Sequence, residues 1–156
     1  MEFSLSIAVD RPVAEVFAFL EDMRNHPQEE RSQVILVEKL TPEPVGVGTR
    51  FREMVQTLPF ARVEMISEVT QYDPNERIEI AWHGGGMEGV LTYCFESQNG
   101  VTGLSLHETV TVKGLARLVE PLIRRTFERM LVNRLHGIKR VLESRNEGPA
   151  VLESNV

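Results

Sequence analysis

The stretch GLARLVEPLIRRTFERMLVNRLHGIKRVLES, residues 114–144, decides the fold. Its apolar residues recur at helical spacing: Leu115, Leu118, Val119, Leu122, Ile123, Phe127, Met130, Leu131, Ile138 and Val141 share one face. A helix of that length with one greasy stripe must be covered by another layer of structure. Pro121 removes one helix hydrogen bond and is expected to kink the first turns.

The cover is supplied by the residues before it. From Gln33 to Lys113 the apolar period changes to two, with strands expected near 33–40, 48–57, 61–72, 76–83, 88–96 and 102–112. The intervening TPEPVGVG, LP, YDPNE, GGG and SQNG are turn chemistry, and short connectors between consecutive strands imply an antiparallel meander. The opening EFSLSIAV alternates Phe3, Leu5, Ile7 and Val9 against polar or small residues and reads as another strand. In DRPVAEVFAFLED, Asp10 can cap and Pro12 can open a helix whose stripe is Val13, Val16, Phe17 and Leu20. MRNHPQEERS then reads as a second short helix or turn, interrupted at Pro27. The sum is an α+β fold in which about seven antiparallel strands twist around the C-terminal helix, with two short helices after the first strand.

Composition narrows the class. The 156 residues, 42% hydrophobic and 26% charged, fit one soluble domain over 1–145. The tail NEGPAVLESNV, 146–156, has little to bury and is expected to be disordered. A net charge of −6 disfavours nucleic acid as a partner. One cysteine, Cys94, excludes an internal disulfide, and with neither a spanning apolar run nor a secretory leader the expectation is cytoplasmic. The C-terminal helix is net basic, so peripheral contact with an anionic membrane is open to it. Oligomeric state is not encoded in any pattern here.

AWHGGGMEG, residues 81–89, raises the question of a hydrolase, because a His followed by glycines can build an oxyanion hole. No G-x-S-x-G nucleophile elbow accompanies it, and the glycines sit where two strands need a hairpin. They are a turn. The histidines 26, 83, 107 and 136 are scattered, without metal-ligand spacing, and no phosphate loop is present, so neither metal nor cofactor is expected. Cys94 lies opposite Tyr93 on its strand and reads as structural.

Element order and particular stretches together resemble the helix-grip superfamily of START-like and pollen-allergen-like domains (SRPBCC), in its polyketide cyclase/dehydrase-like branch. The matching stretches are VDRPVAEVFAFLEDMRNHPQ (9–28), GVGTRF (46–51), YDPNERI (72–78), MEGVLTYCFE (87–96) and the terminal helix. Members often carry a Trp shortly after the Pro of the second helix; here Glu29 and Glu30 follow Gln28. The resemblance implies a hydrophobic cavity between sheet and long helix. It does not fix a reaction, because lipid carriers, hormone receptors, cyclases and chaperone cofactors share this architecture.

Strand parity nominates the cavity wall. Phe51 shares a face with Glu53, Glu108 with Leu104, Leu106 and Val110, Trp82 with Ile78 and Ile80, and Tyr93 with Leu91 and Phe95. Gly89, at an inward position, leaves room. Met65 joins these from the 61–72 strand. On the helix Phe127 and Met130 lie on the stripe, and Arg134 falls near its middle. The candidate binding residues are therefore Phe51, Glu53, Met65, Trp82, Tyr93, Glu108, Phe127, Met130 and Arg134. A buried cation needs a partner, and Glu53 or Glu108 would serve. The expected function is binding or transport of a small hydrophobic molecule such as a lipid, polyketide or aromatic compound. One alternative is a metal-free cyclase, dehydratase or isomerase using a cavity carboxylate as acid or base. A second is a protein-interaction module whose interior is full.

Overall fold

A computed structural model describes residues 1–28, 33–58 and 61–145. Strand β1 (Glu2–Val9) leads into α1 (Val13–Glu21) and a 3-10 helix, Met23–Gln28. Six strands follow: β2 (Val34–Lys39), β3 (Arg50–Leu58), β4 (Ala61–Asp73), β5 (Arg77–Gly84), β6 (Met87–Gln98) and β7 (Val101–Val112). A second 3-10 helix, Gly114–Val119, precedes α2 (Glu120–Ser144). The strands form one antiparallel sheet in the order β1-β7-β6-β5-β4-β3-β2, open at β1 and β2, with α2 across its face. This is the helix-grip α+β architecture. No described helix is long and apolar enough to cross a membrane.

Register explains what the sheet presents to α2. Ile80, Leu91, Glu108 and Phe3 form one inward row across β5, β6, β7 and β1; Ile78, Tyr93, Leu106 and Leu5 form the next. Irregularities at Val34/Leu36, Gln56/Leu58 and Val69/Gln71 bend the β2–β4 side, as bulges do. The glycine stretch is the β5–β6 hairpin: Gly85 and Gly86 take φ of 57° and 78°, the two left-handed positions of a tight two-residue turn.

Three local expectations need correction. Asp10 does not cap α1; its backbone N–H donates to Glu143 Oε1 (2.9 Å), and the helix starts after Pro12 with no side-chain cap. Pro121 kinks nothing, because it stands in the first turn of α2, where its missing N–H costs no bond. The apolar stripe is also shorter than its spacing implies. Residues 114–119 form a separate 3-10 turn, so the helical phase breaks there, and Leu115, Leu118, Val119 and Leu122 are exposed. Leu131, Leu135, Ile138 and Leu142 carry the buried stripe, with Phe127 at its edge. The expected disorder of the tail, the LP turn and the Glu29–Glu30 departure concern residues outside those described, save Leu58.

The C-terminal end of α2 is fastened by Arg11, a buried cation in the turn after β1. Its Nε donates to Leu142 O (2.8 Å) and its Nη2 to Glu143 O (2.9 Å). These are carbonyls that a helix end leaves without intrahelical partners, and a cation there also complements the helix dipole. Thr102 Oγ1 donates to Arg11 O (2.7 Å), tying the same turn to β7. Replacing Arg11 with Met keeps the apolar stem and orphans both carbonyls. Arg11→Met should lower unfolding free energy by roughly 3 kcal/mol in urea titrations with an unchanged m-value; a loss too small to measure would show that the clamp is decorative.

Candidate functional site

α2 rests on the sheet along its C-terminal half and stands off it along the rest. The space left is a cavity of about 380 Å³, so the interior is not filled. Val34, Val55, Met65, Ile80, Leu91, Met87, Ile123, Phe127 and Met130 give it a largely apolar wall. Phe127 closes one side by stacking between Phe3 and Trp82, 6.1 Å from each ring. Gln33, Gly85, Leu122 and Thr126 line the cavity yet are solvent-exposed, which places its mouth between the β5–β6 hairpin and the start of α2.

Of the nine nominated residues, Glu53, Met65, Trp82, Glu108, Phe127, Met130 and Arg134 line this cavity. Phe51 and Tyr93 do not. Both are fully buried, one row deeper along their strands, where Tyr93 packs beside Phe95 and Phe95 meets Phe17 of α1. Parity gave their face correctly; only the position of α1 and α2 along the strands decides which inward row meets open space.

The lining also holds two buried carboxylates in different settings. Glu53 Oε1 accepts from the Ser67 hydroxyl at 2.6 Å, and its Oε2 lies 3.8 Å from His26 Nδ1. Burial pushes the Glu53 carboxyl up, but His26, Ser67 and the charge of Arg134 together outweigh it and hold the group below its ordinary value. Glu108 Oε1 accepts from Trp82 Nε1 at 2.9 Å, while Oε2 has no hydrogen-bond partner among the described residues. Burial dominates here and raises this carboxyl to about 7, against the opposing pull of Arg134 and Trp82 and with a small push from Glu53. Because the indole N–H occupies Oε1, a proton on Glu108 sits on Oε2, where it can be donated.

Gly89 makes that contact possible. It pairs with Trp82 on β5 and Val110 on β7, so the indole must pass over it to reach Glu108 two strands away. A Cβ on Gly89 would lie 2.7 Å from the ring and 2.4 Å from Thr109 O. The room that this glycine leaves is therefore filled by tryptophan, not offered to a ligand.

His26 and Ser67 were not nominated from sequence. Ser67 shares parity with Met65 and Val69, so its inward direction was available. His26 lies on a 3-10 helix with no period to orient it, and it is completely buried against Glu53. Both its ring nitrogens lack hydrogen-bond partners among the described residues. His107 faces outward and shares a hydrogen bond with Ser4. No group of three or more His, Cys, Asp or Glu is placed to hold a metal ion among the described residues.

The family described as polyketide cyclase/dehydrase and lipid transport matches residues 1–143. Nothing among curated proteins matches the chain. Similar solved structures include TTHA0849 from Thermus thermophilus, 17% identical with a TM-score of 0.78 over 93% of this chain and 99% of that one. The Zhui aromatase/cyclase from a Streptomyces species is 16% identical, with a TM-score of 0.78 over 94% and 95%. The di-domain ARO/CYC StfQ of the steffimycin biosynthetic pathway is 16% identical, with a TM-score of 0.76 over 94% of this chain and 52% of that one. Identities this low establish a shared fold alone.

The two protonation states make a measurable prediction. A carboxyl raised from 4.5 to about 7 keeps its proton longer in the folded state, so stability falls as pH rises through that window and is level above it. Glu108→Gln cannot ionise and should gain on the order of 3 kcal/mol relative to the parent between about pH 4 and about pH 8. Trp82 is the chain's one tryptophan, so its emission should show an inflection near pH 7 that Glu108→Gln abolishes. An identical inflection in the variant would assign the titration elsewhere. Glu53 runs the other way: its lowered value contributes stability above the unfolded value, lost as pH falls through the folded one.

Proposed function

The chain belongs to the polyketide cyclase/dehydrase and lipid transport family, and on that footing we propose that it binds a small, mainly apolar molecule non-covalently between the sheet and α2. The observation that carries this reading is a largely apolar cavity of about 380 Å³ that Glu53, Glu108 and Arg134 also line. That volume is at the low end of ordinary small-molecule pockets, and burial of carbon surface supplies the affinity. Glu108, Glu53 and Arg134 orient the ligand's polar end. With its proton on Oε2, Glu108 donates to a carbonyl or hydroxyl oxygen, an interaction that an ionised carboxylate could not make.

A second reading rests on the divergence of the two carboxyls. Paired titratable groups pushed to opposite protonation states are what proton-transfer chemistry uses. Glu108 near neutrality is poised as a general acid toward a carbonyl oxygen, in the manner of a cyclase, dehydratase or isomerase acting without metal.

Protein purified from its own host should carry a bound hydrophobic compound in native mass spectrometry and should bind a neutral hydrophobic dye. Met130→Trp adds bulk to the cavity wall, so it should eject the compound and weaken dye binding at least roughly tenfold while leaving the fold intact. Apo protein alone, together with a melting temperature that hydrophobic probes do not move, would end the binding reading. Glu108→Gln separates the two readings: retained binding with abolished turnover means catalysis, while retained binding without turnover in the parent means a carrier.

A further inference from the structure

The second 3-10 helix and the first turn of α2 expose four large apolar side chains within eight residues: Leu115 at 85%, Leu118 at 82%, Val119 at 51% and Leu122 at 67%. Single exposed leucines need no explanation, but a contiguous group does. Leu122 also lines the cavity with Ala116 and Ile123, so the exposed patch runs into the mouth. The charge around it is equally uneven. Lys113–Arg129 contains five basic and two acidic residues in a chain of net charge −6. Arg117, Arg124, Arg125 and Arg129 are exposed. Arg117, Arg125 and Arg129 form no ion pair with a described residue, while Arg124 lies over the Phe3 ring at 5.5 Å.

A second copy is a poor occupant for this surface, because a two-fold contact would bring the same arginines face to face. A protruding apolar group ringed by cations fits the boundary between the anionic headgroups and the acyl chains of a bilayer. We propose that this segment docks the protein on an anionic lipid bilayer, with Leu115, Leu118 and Leu122 entering the interface and Arg117, Arg125 and Arg129 holding the headgroup phosphates. The cavity mouth then opens onto the membrane, and an apolar ligand moves between bilayer and cavity without crossing water. That delivery route rests on the ligand-binding reading; the docking itself does not.

Co-sedimentation of the full chain with vesicles of phosphatidylcholine, alone or mixed with phosphatidylserine, tests the surface directly. Binding to the mixed vesicles only, weakening as salt rises, is the expected result. Leu115→Ser with Leu118→Ser should abolish pelleting. The triple change Arg117→Gln, Arg125→Gln and Arg129→Gln should weaken it roughly a hundredfold. All five positions are exposed, so both variants should melt like the parent and still take up the hydrophobic dye. That dye measurement separates failure of docking from failure of the cavity reading. No binding at low salt, equal binding to both vesicles, or unchanged binding by the Leu variant would overturn the proposal. So would a concentration-dependent dimer that the Leu variant dissolves.

Discussion

The clamp of Arg11 on the last carbonyls of α2 is the constraint from which the rest of the molecule follows. It fixes one end of a helix about 37 Å long against the turn after β1. Lys139 Nζ adds a bond to Ala8 O at 2.6 Å, and Asp10 N–H one to Glu143, so the fastening is concentrated at that end. From there Leu142, Ile138, Leu135 and Leu131 seat on the inward rows of the sheet, each contributing about 1.5–3 kcal/mol by burial. Past Phe127 the attachments change from hydrogen bonds to ring contacts. The cavity lies there, between the sheet and the residues from Ala116 to Arg134.

Placing charged groups in that gap runs against the hydrophobic logic of the fold, and the chain manages it with two different devices. Glu53 is ringed by His26, Ser67 and the charge of Arg134, which keep it an anion in spite of burial. Glu108 feels the charge of Arg134 too but receives only one neutral donor, the Trp82 indole, and burial prevails. A carboxyl that keeps its proton up to about pH 7 avoids, below that pH, the cost of a buried, incompletely paired charge while leaving Oε2 available. Gly89 belongs to this arrangement although it does not line the cavity, because any side chain there would displace the indole.

Much of this was legible in the sequence, for definite reasons. Period-two alternation over residues 33–113 gave all six strands after α1 within a few residues, and parity alone turned Glu53 and Glu108 inward, as found. Parity has no information about how far along a strand a residue lies from the covering helix, so Phe51 and Tyr93 had the right face and the wrong row. The glycine-rich hairpin was readable because a missing nucleophile elbow left turn chemistry as the remaining explanation. His26 was not readable: a short 3-10 helix has no amphipathic period, and its burial depends on β2 packing against that helix and on Glu53 of β3. Arg11 was equally hidden, since its partners are backbone carbonyls 131 and 132 residues away. The early leucines of residues 114–144 matched a helical stripe, yet the 3-10 turn before Pro121 breaks the phase that this match assumed.

The two ends of α2 also divide the labour between stability and access. An apolar molecule held between sheet and helix leaves most readily where the enclosure widens at least cost. At the C-terminal end, separation would break both bonds from the Arg11 guanidinium to the helix carbonyls and expose the fully buried Leu142 and Ile138. At the N-terminal end it would part Phe127 from Phe3 and Trp82 and lift the Arg124 guanidinium from the Phe3 ring. Stacked rings and a cation over a ring are worth about 1 kcal/mol each beyond the area they bury. The sheet therefore keeps a firm hold on one end of the helix so that the other can stay cheap to open, and the open end is where the exposed leucines and arginines lie.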